Sequence, residues 1–152
     1  MERCGNGYKN ENPAIYISFS DDLQIFTNYK LLMKGKTSWE SFKIGASCPP
    51  IRTNEGWLLI YHGVSKEDSI YRVGAVLLDL NKPTKVLHRT KNFIFEPEED
   101  FETKGYYSGC VFPTGIVEQD EKYFIYYGAG DKVIGVATCK KDELLNFIKE
   151  DK

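Results

Sequence analysis

Apolar, β-branched and aromatic residues occur along this chain in short runs, and clusters of Gly, Asn, Asp, Glu and Lys punctuate them. Runs of that length, bounded by turn formers, predict strands. The expected strands are Ala14–Phe19, Gly45–Arg52, Trp57–His62, Tyr71–Leu80, Lys91–Phe95, Gly109–Glu118, Tyr123–Gly128 and Val133–Cys139. Asn54-Glu55-Gly56, Lys66-Glu67-Asp68, Asn81-Lys82-Pro83 and Gln119-Asp120-Glu121 have turn composition. Lys141–Lys149 alone has helical spacing, with Leu144, Leu145 and Ile148 on one side, and predicts a short C-terminal helix. At 152 residues the chain fits one mainly-β domain, 1–152.

The pattern also repeats. Trp57-Leu58-Leu59-Ile60-Tyr61-His62-Gly63 aligns with Lys122-Tyr123-Phe124-Ile125-Tyr126-Tyr127-Gly128, about 65 residues on. The strands that follow also match, Tyr71–Val76 with Lys132–Ala137, and Ala14–Leu23 resembles Gly135–Leu144 as a partial third copy. A repeating unit of sixty-odd residues with about four strands is the pattern of a β-propeller blade. Two units and a fragment fit the chain, and a closed ring does not.

Composition narrows the class only a little. A hydrophobic fraction of 41% with 28% charged residues suits an enzyme and a binding module equally. Ten tyrosines supply flat apolar faces with polar tips, useful in strand packing and in sugar contact. A net charge of −2 leaves no basic stripe for nucleic acid, and the acidic run Glu98-Glu99-Asp100 reads as a solvated loop. No apolar stretch reaches membrane-spanning length, and the first twenty residues lack signal-peptide regions, so a cytoplasmic location is expected. Cys4, Cys48, Cys110 and Cys139 have neither zinc-site spacing nor disulfide density, which favours free thiols.

Several motifs in order carry a family resemblance. They are Trp39–Ala46, Pro49-Pro50-Ile51, Gly56–Val64, Tyr71–Leu80, Glu96-Pro97-Glu98, Val111–Gly115 and Tyr126–Asp131. This series resembles glycoside hydrolase family 130, which holds phosphorylases and hydrolases acting on β-mannosides. The likeness covers about Ala14 to Ile148. It implies part of a five-bladed propeller with sugar bound at the central channel. Two local departures are Ser47-Cys48, where the family usually has Gly-Pro, and Tyr107-Ser108-Gly109-Cys110, in place of Val-Pro-Asn-Val. The motifs match the C-terminal half of a family member, so the half bearing the catalytic aspartate and phosphate-holding arginines is expected to be absent.

The resemblance assigns roles to five residues. Phosphorolysis replaces attacking water by inorganic phosphate, which needs a cation and donors held opposite the leaving group. The likeness puts Lys43 and His62 in that phosphate site, and puts Tyr71, Phe112 and Asp131 against the sugar. Their alternatives are a surface lysine, a strand-end histidine bonded to backbone, core aromatics and a Gly-Asp turn. No catalytic acid is evident: Glu98 and Glu99 sit in the acidic run, and Asp79 ends a strand. No metal motif and no cofactor are expected beyond phosphate as co-substrate. The expectation is therefore part of a β-mannoside phosphorylase, inactive alone, with a β-mannoside oligosaccharide and phosphate as ligands. An N-terminal half or further copies of the chain would be its protein partners. The alternatives are a β-mannoside hydrolase and a non-catalytic carbohydrate-binding or scaffold module.

Overall fold

The computed structural model describes residues 13–151. Strands β1 (Ile15–Phe19) and β2 (Thr27–Met33) form a hairpin. A five-stranded antiparallel sheet holds β3 (Lys43–Ala46), β4 (Ile51–Arg52), β5 (Trp57–Val64), β6 (Tyr71–Leu78) and β7 (Val86–Arg89). A three-stranded antiparallel sheet holds β8 (Val111–Gln119), β9 (Lys122–Ala129) and β10 (Val133–Lys140). Helices α1 (Asp100–Thr103) and α2 (Lys141–Glu150) complete a mostly β structure without a closed barrel.

Sequence and structure part company in four places. The expected strand Gly45–Arg52 is two strands, because Pro49 and Pro50 bring no N–H for a ladder. Lys91–Phe95 is not a strand; only Phe95 bridges to Val73. Strands β2 and β7 had no apolar run long enough to announce them. The all-β reading with one C-terminal helix also gains a second helix, α1, which begins at Asp100, while the acidic run Glu98-Glu99-Asp100 is solvent-exposed as expected. Glu102 is the cause: its carboxylate accepts from the backbone N–H groups of Glu98 and Glu99 at 2.8 and 2.9 Å, which caps the turn.

Two apolar layers hold the stack together. Leu58, Ile60, Val73, Ala75 and Leu77 meet Tyr123, Ile125, Tyr127 and Ala129 between the sheets, and α2 closes that layer with Leu144, Leu145 and Ile148. On the other face Leu59, Tyr61, Val76 and Leu78 meet Ile15, Met33, Trp39 and Ile44. Strands β5 and β6 are thus covered on both faces, which is why their sequences run apolar without alternation. Each fully buried Leu or Ile contributes about 1.5–3 kcal/mol.

The two sheets carry the same device. A Cβ on Gly74 would come within 2.5 Å of the Tyr61 ring, and a Cβ on Gly135 within 2.5 Å of the Tyr127 ring. In each case the glycine faces its tyrosine across a β-ladder, Tyr61 opposite Gly74 and Tyr127 opposite Gly135. The structural counterpart of Tyr61 is therefore Tyr127 and not Tyr126, one residue beyond the sequence alignment. That step decides the face: Tyr127 is 6% exposed and Tyr126 43%.

Candidate functional site

The β3–β5 ladder builds one end of the site. It pairs Lys43 with Val64 and Gly45 with His62. Gly45 has no side chain, and the imidazole occupies that space: a Cβ there would lie 2.5 Å from His62 Cε1. Ser47 follows β3, its N–H bonded to the Ile60 carbonyl at 3.1 Å and its Oγ 3.0 Å from His62 Nδ1. Burial, and secondarily the charge of Lys43, pushes the His62 pKa down to about 4. At neutral pH this ring is an uncharged hydrogen-bonding group. Lys43 supplies the positive charge, its Nζ donating to the Tyr71 hydroxyl at 2.5 Å and lying 4.7 Å from the centre of the Tyr71 ring.

Aromatic rings continue the surface from there. The His62 ring lies 5.5 Å from that of Tyr71 and 4.6 Å from that of Phe112, centroid to centroid. Tyr107 meets Tyr71 edge-on at 5.3 Å, and its hydroxyl donates to the Ser69 carbonyl at 3.0 Å. Tyr71, Tyr107, Cys110, Phe112 and Asp131 line a cleft of about 260 Å³. Asp131 is held at its mouth by a tight turn: Gly130 and Asp131 both have positive φ, 58° and 52°, and Lys132 N–H bonds to Ala129 O at 3.1 Å. The Cys110 thiol, 3.9 Å from an Asp131 oxygen, is pushed up to about 11 by burial and by that carboxylate, so it stays protonated.

Glycine and ring exchange places between the sheets. Gly45 on β3 faces His62 on β5, whereas Phe112 on β8 faces Gly128 on β9. The likeness ends at the ladder: a Cβ on Gly45 would strike the His62 ring, whereas one on Gly128 would meet only the Phe112 carbonyl oxygen at 3.9 Å.

Lys43, His62, Tyr71, Phe112 and Asp131 thus fall on one continuous surface, with Tyr71 and Phe112 joining the cationic end to the cleft. Sequence reading did not select Ser47, Tyr107 or Cys110 as site residues. Their only signal was that they occupy the two departures from the family pattern. The surface offers one cation, neutral donors, two broad ring faces and a carboxylate, a set suited to an anion beside a polyhydroxylated ring. A larger groove of about 370 Å³ lies between α2, β10 and Ile94-Phe95, but its lining is chiefly apolar, with Thr138, Cys139 and Glu143 as its polar members and no cation or histidine among them. Chemistry favours the smaller cleft. No cluster of three metal-ligating side chains occurs among the described residues, and none of their helices is long and apolar enough to cross a membrane. Cys48, Cys110 and Cys139 are free thiols, and Cys4 lies outside the described residues.

The family model described as beta-1,4-mannooligosaccharide phosphorylase matches residues 6–150, and the chain belongs to this family, glycoside hydrolase family 130. A 1,2-beta-oligomannan phosphorylase of a Thermoanaerobacter species is 44% identical over 133 residues, 87% of this chain and 45% of that protein. A beta-1,2-mannobiose phosphorylase of the same organism is 50% identical over 107 residues, 70% of this chain and 35% of that protein. Among solved structures, the beta-1,2-mannobiose phosphorylase from Listeria innocua, in complex with beta-1,2-mannobiose, superposes with a TM-score of 0.88 at 37% identity. It covers 93% of this chain and 40% of that one. The chain spans less than half the length of these relatives.

Proposed function

We propose that this chain forms the phosphate-holding wall, and part of the sugar-holding wall, of an inverting β-mannoside phosphorylase. The observation that carries the reading is the convergence of the Lys43 ammonium and the neutral His62 ring beside the Tyr71–Phe112–Asp131 cleft. A phosphate at the Lys43–His62 end would attack the anomeric carbon as the bond to the leaving sugar oxygen breaks. Tyr71 and Phe112 would cover the apolar side of the mannosyl ring, and Asp131 would accept from its hydroxyls. Asp131 is the one carboxylate lining the cleft among the described residues, and it is assigned to binding. The general acid is then supplied from the part of the relatives' length that this chain does not span.

The architecture fits the same proposal. The two sheets and the hairpin are read as successive parts of a five-bladed propeller. The outward face of β8–β10 exposes Val117, Tyr126, Ile134 and Val136, positions that match the face of the five-stranded sheet covered by its neighbour. A hydrolase is disfavoured because water needs no cation to hold it.

The test pairs binding with turnover. Inorganic phosphate is titrated calorimetrically against wild type, Lys43→Ala and the remote Lys149→Ala. Lys43→Ala is expected to weaken binding ~10–100-fold, the range of a charge-assisted hydrogen bond, and Lys149→Ala to change it little. Mannose 1-phosphate release from β-linked mannobiose is expected to be negligible for the 152 residues alone, since general acid catalysis supplies about 10²–10⁴-fold. It should appear when a separately expressed N-terminal half of a relative is added. Equal loss in both lysine variants would reject the phosphate wall. Sugar binding without phosphate binding would favour a carbohydrate-binding module.

A further inference from the structure

We propose that Ser47 is a positioning residue, whose hydroxyl donates to His62 Nδ1 and so keeps the ring proton on Nε2, a neutral donor toward an anionic oxygen beside Lys43. The ligand in this inference rests on the phosphate reading above; the tautomer does not.

Three arrangements of the pair are possible, and the surroundings separate them. An imidazolium could donate from both nitrogens, but burial and the nearby Lys43 charge oppose the cation. A neutral ring protonated on Nδ1 could donate to Ser47 Oγ, but the half-buried hydroxyl would then have only solvent to take its own proton, since no other acceptor for it occurs among the described residues. With Ser47 donating to Nδ1 across 3.0 Å, both groups use their hydrogen-bonding capacity and Nε2 must carry the proton. The second nitrogen is also free to act. Nε2 has no protein partner among the described residues, and the only sealed-off, unpaired side-chain polar atom among them is the Tyr123 hydroxyl, so Nε2 keeps a path to solvent.

The backbone reinforces the arrangement. The Ser47 N–H is bonded to Ile60 O at 3.1 Å, two residues before His62 on β5, which ties the hydroxyl's position to the same strand. Gly45 beneath the ring makes the space it occupies, since a Cβ there would lie 2.5 Å from His62 Cε1.

The tautomer is read directly by ¹⁵N–¹H long-range correlation spectra of the chain labelled at histidine, with His88→Gln assigning its two histidines. The expected wild-type spectrum shows a protonated Nε2 and a bare Nδ1. Ser47→Gly and Ser47→Ala are expected to shift the ring toward a tautomer mixture, while Ser47→Thr, which keeps the hydroxyl, retains the wild-type signature. Inorganic phosphate, titrated on the same signals, is expected to bind about two- to tenfold more weakly to Ser47→Gly and Ser47→Ala, the worth of one hydrogen bond. Dispersion of the backbone amide spectrum verifies that each variant is folded. A wild-type proton on Nδ1, or a tautomer unchanged in both hydroxyl-free variants, overturns the proposal. The expected tautomer behaviour without any response to phosphate supports the role of Ser47 and overturns the phosphate wall instead.

Discussion

Two carboxylates occupy matching places in the two sheets and are held in different ways. Glu40 lies in the 3-10 turn just before β3, and Glu102 in α1, the helix preceding β8. Each caps its own turn. Glu40 accepts from Lys36 and Thr37 N–H at 3.0 and 3.3 Å, and Glu102 from Glu98 and Glu99 N–H. Their remaining oxygens differ. Glu40, 1% exposed, is paired with the Arg89 guanidinium, which also donates to Tyr61 OH at 3.1 Å and Lys34 O at 2.7 Å. Glu102 has no cation paired with it among the described residues: the Tyr127 hydroxyl donates to it directly at 2.6 Å. Burial opposes the charge of Glu102, but the bonds from Tyr127, Glu99 and Glu98 outweigh it and hold the carboxyl below its ordinary value. One template thus tolerates either an ion pair or neutral donors, provided both oxygens of the turn-capping carboxylate are bonded.

The comparison breaks most visibly at Arg89. Arg89→Met should leave Glu40 buried without its counter-ion and cost about 3–5 kcal/mol in chemical denaturation. Adding Glu40→Gln should restore much of that loss, and a double variant as unstable as the single one would show that the guanidinium acts through packing.

A smaller effect is expected on the other side. Tyr127→Phe should cost about 1.5–3 kcal/mol at neutral pH, as for a hydrogen bond to a charged group. Because the folded pKa of Glu102 is depressed, its contribution is present above the ordinary carboxylate range and disappears as pH falls through the folded value. The gap between wild type and Tyr127→Phe should narrow on acidification, and a gap independent of pH would mean that Glu102 is not its source. The glycine contacts sharpen the match between sheets. Gly74→Ala and Gly135→Ala should each cost about 1–3 kcal/mol by overpacking against Tyr61 and Tyr127. A neutral Gly135→Ala would restore the sequence alignment that pairs Tyr61 with Tyr126.

How far the sequence could be read follows from which residues alternate. Helix α2 was legible from the spacing of Leu144, Leu145 and Ile148, and strands β9 and β10 as short apolar runs bounded by turn residues. Strand β5 is buried at nearly every position, so its register had no period to read, and matching residue types placed Tyr126 where the ladder places Tyr127. Strand β2 carries Asn28 and Lys30 on an exposed stretch, and β7 is a four-residue edge strand, so neither looked apolar enough to be one. Of the site, the resemblance brought forward Lys43, His62, Tyr71, Phe112 and Asp131. Ser47 could not be found the same way. Its contact depends on Gly45 pairing with His62, a fact of register that composition does not contain.

The depressed pKa of His62 has a consequence for how the cleft behaves as pH changes. Since this ring gains its proton only near pH 4, its charge state is constant through the mildly acidic to neutral range. An anionic guest that loses a proton of its own in that range would then be the party whose charge varies. The protein side acts as a fixed electrostatic reference, so a plot of affinity against pH would trace the ionisation of the guest and not of the histidine.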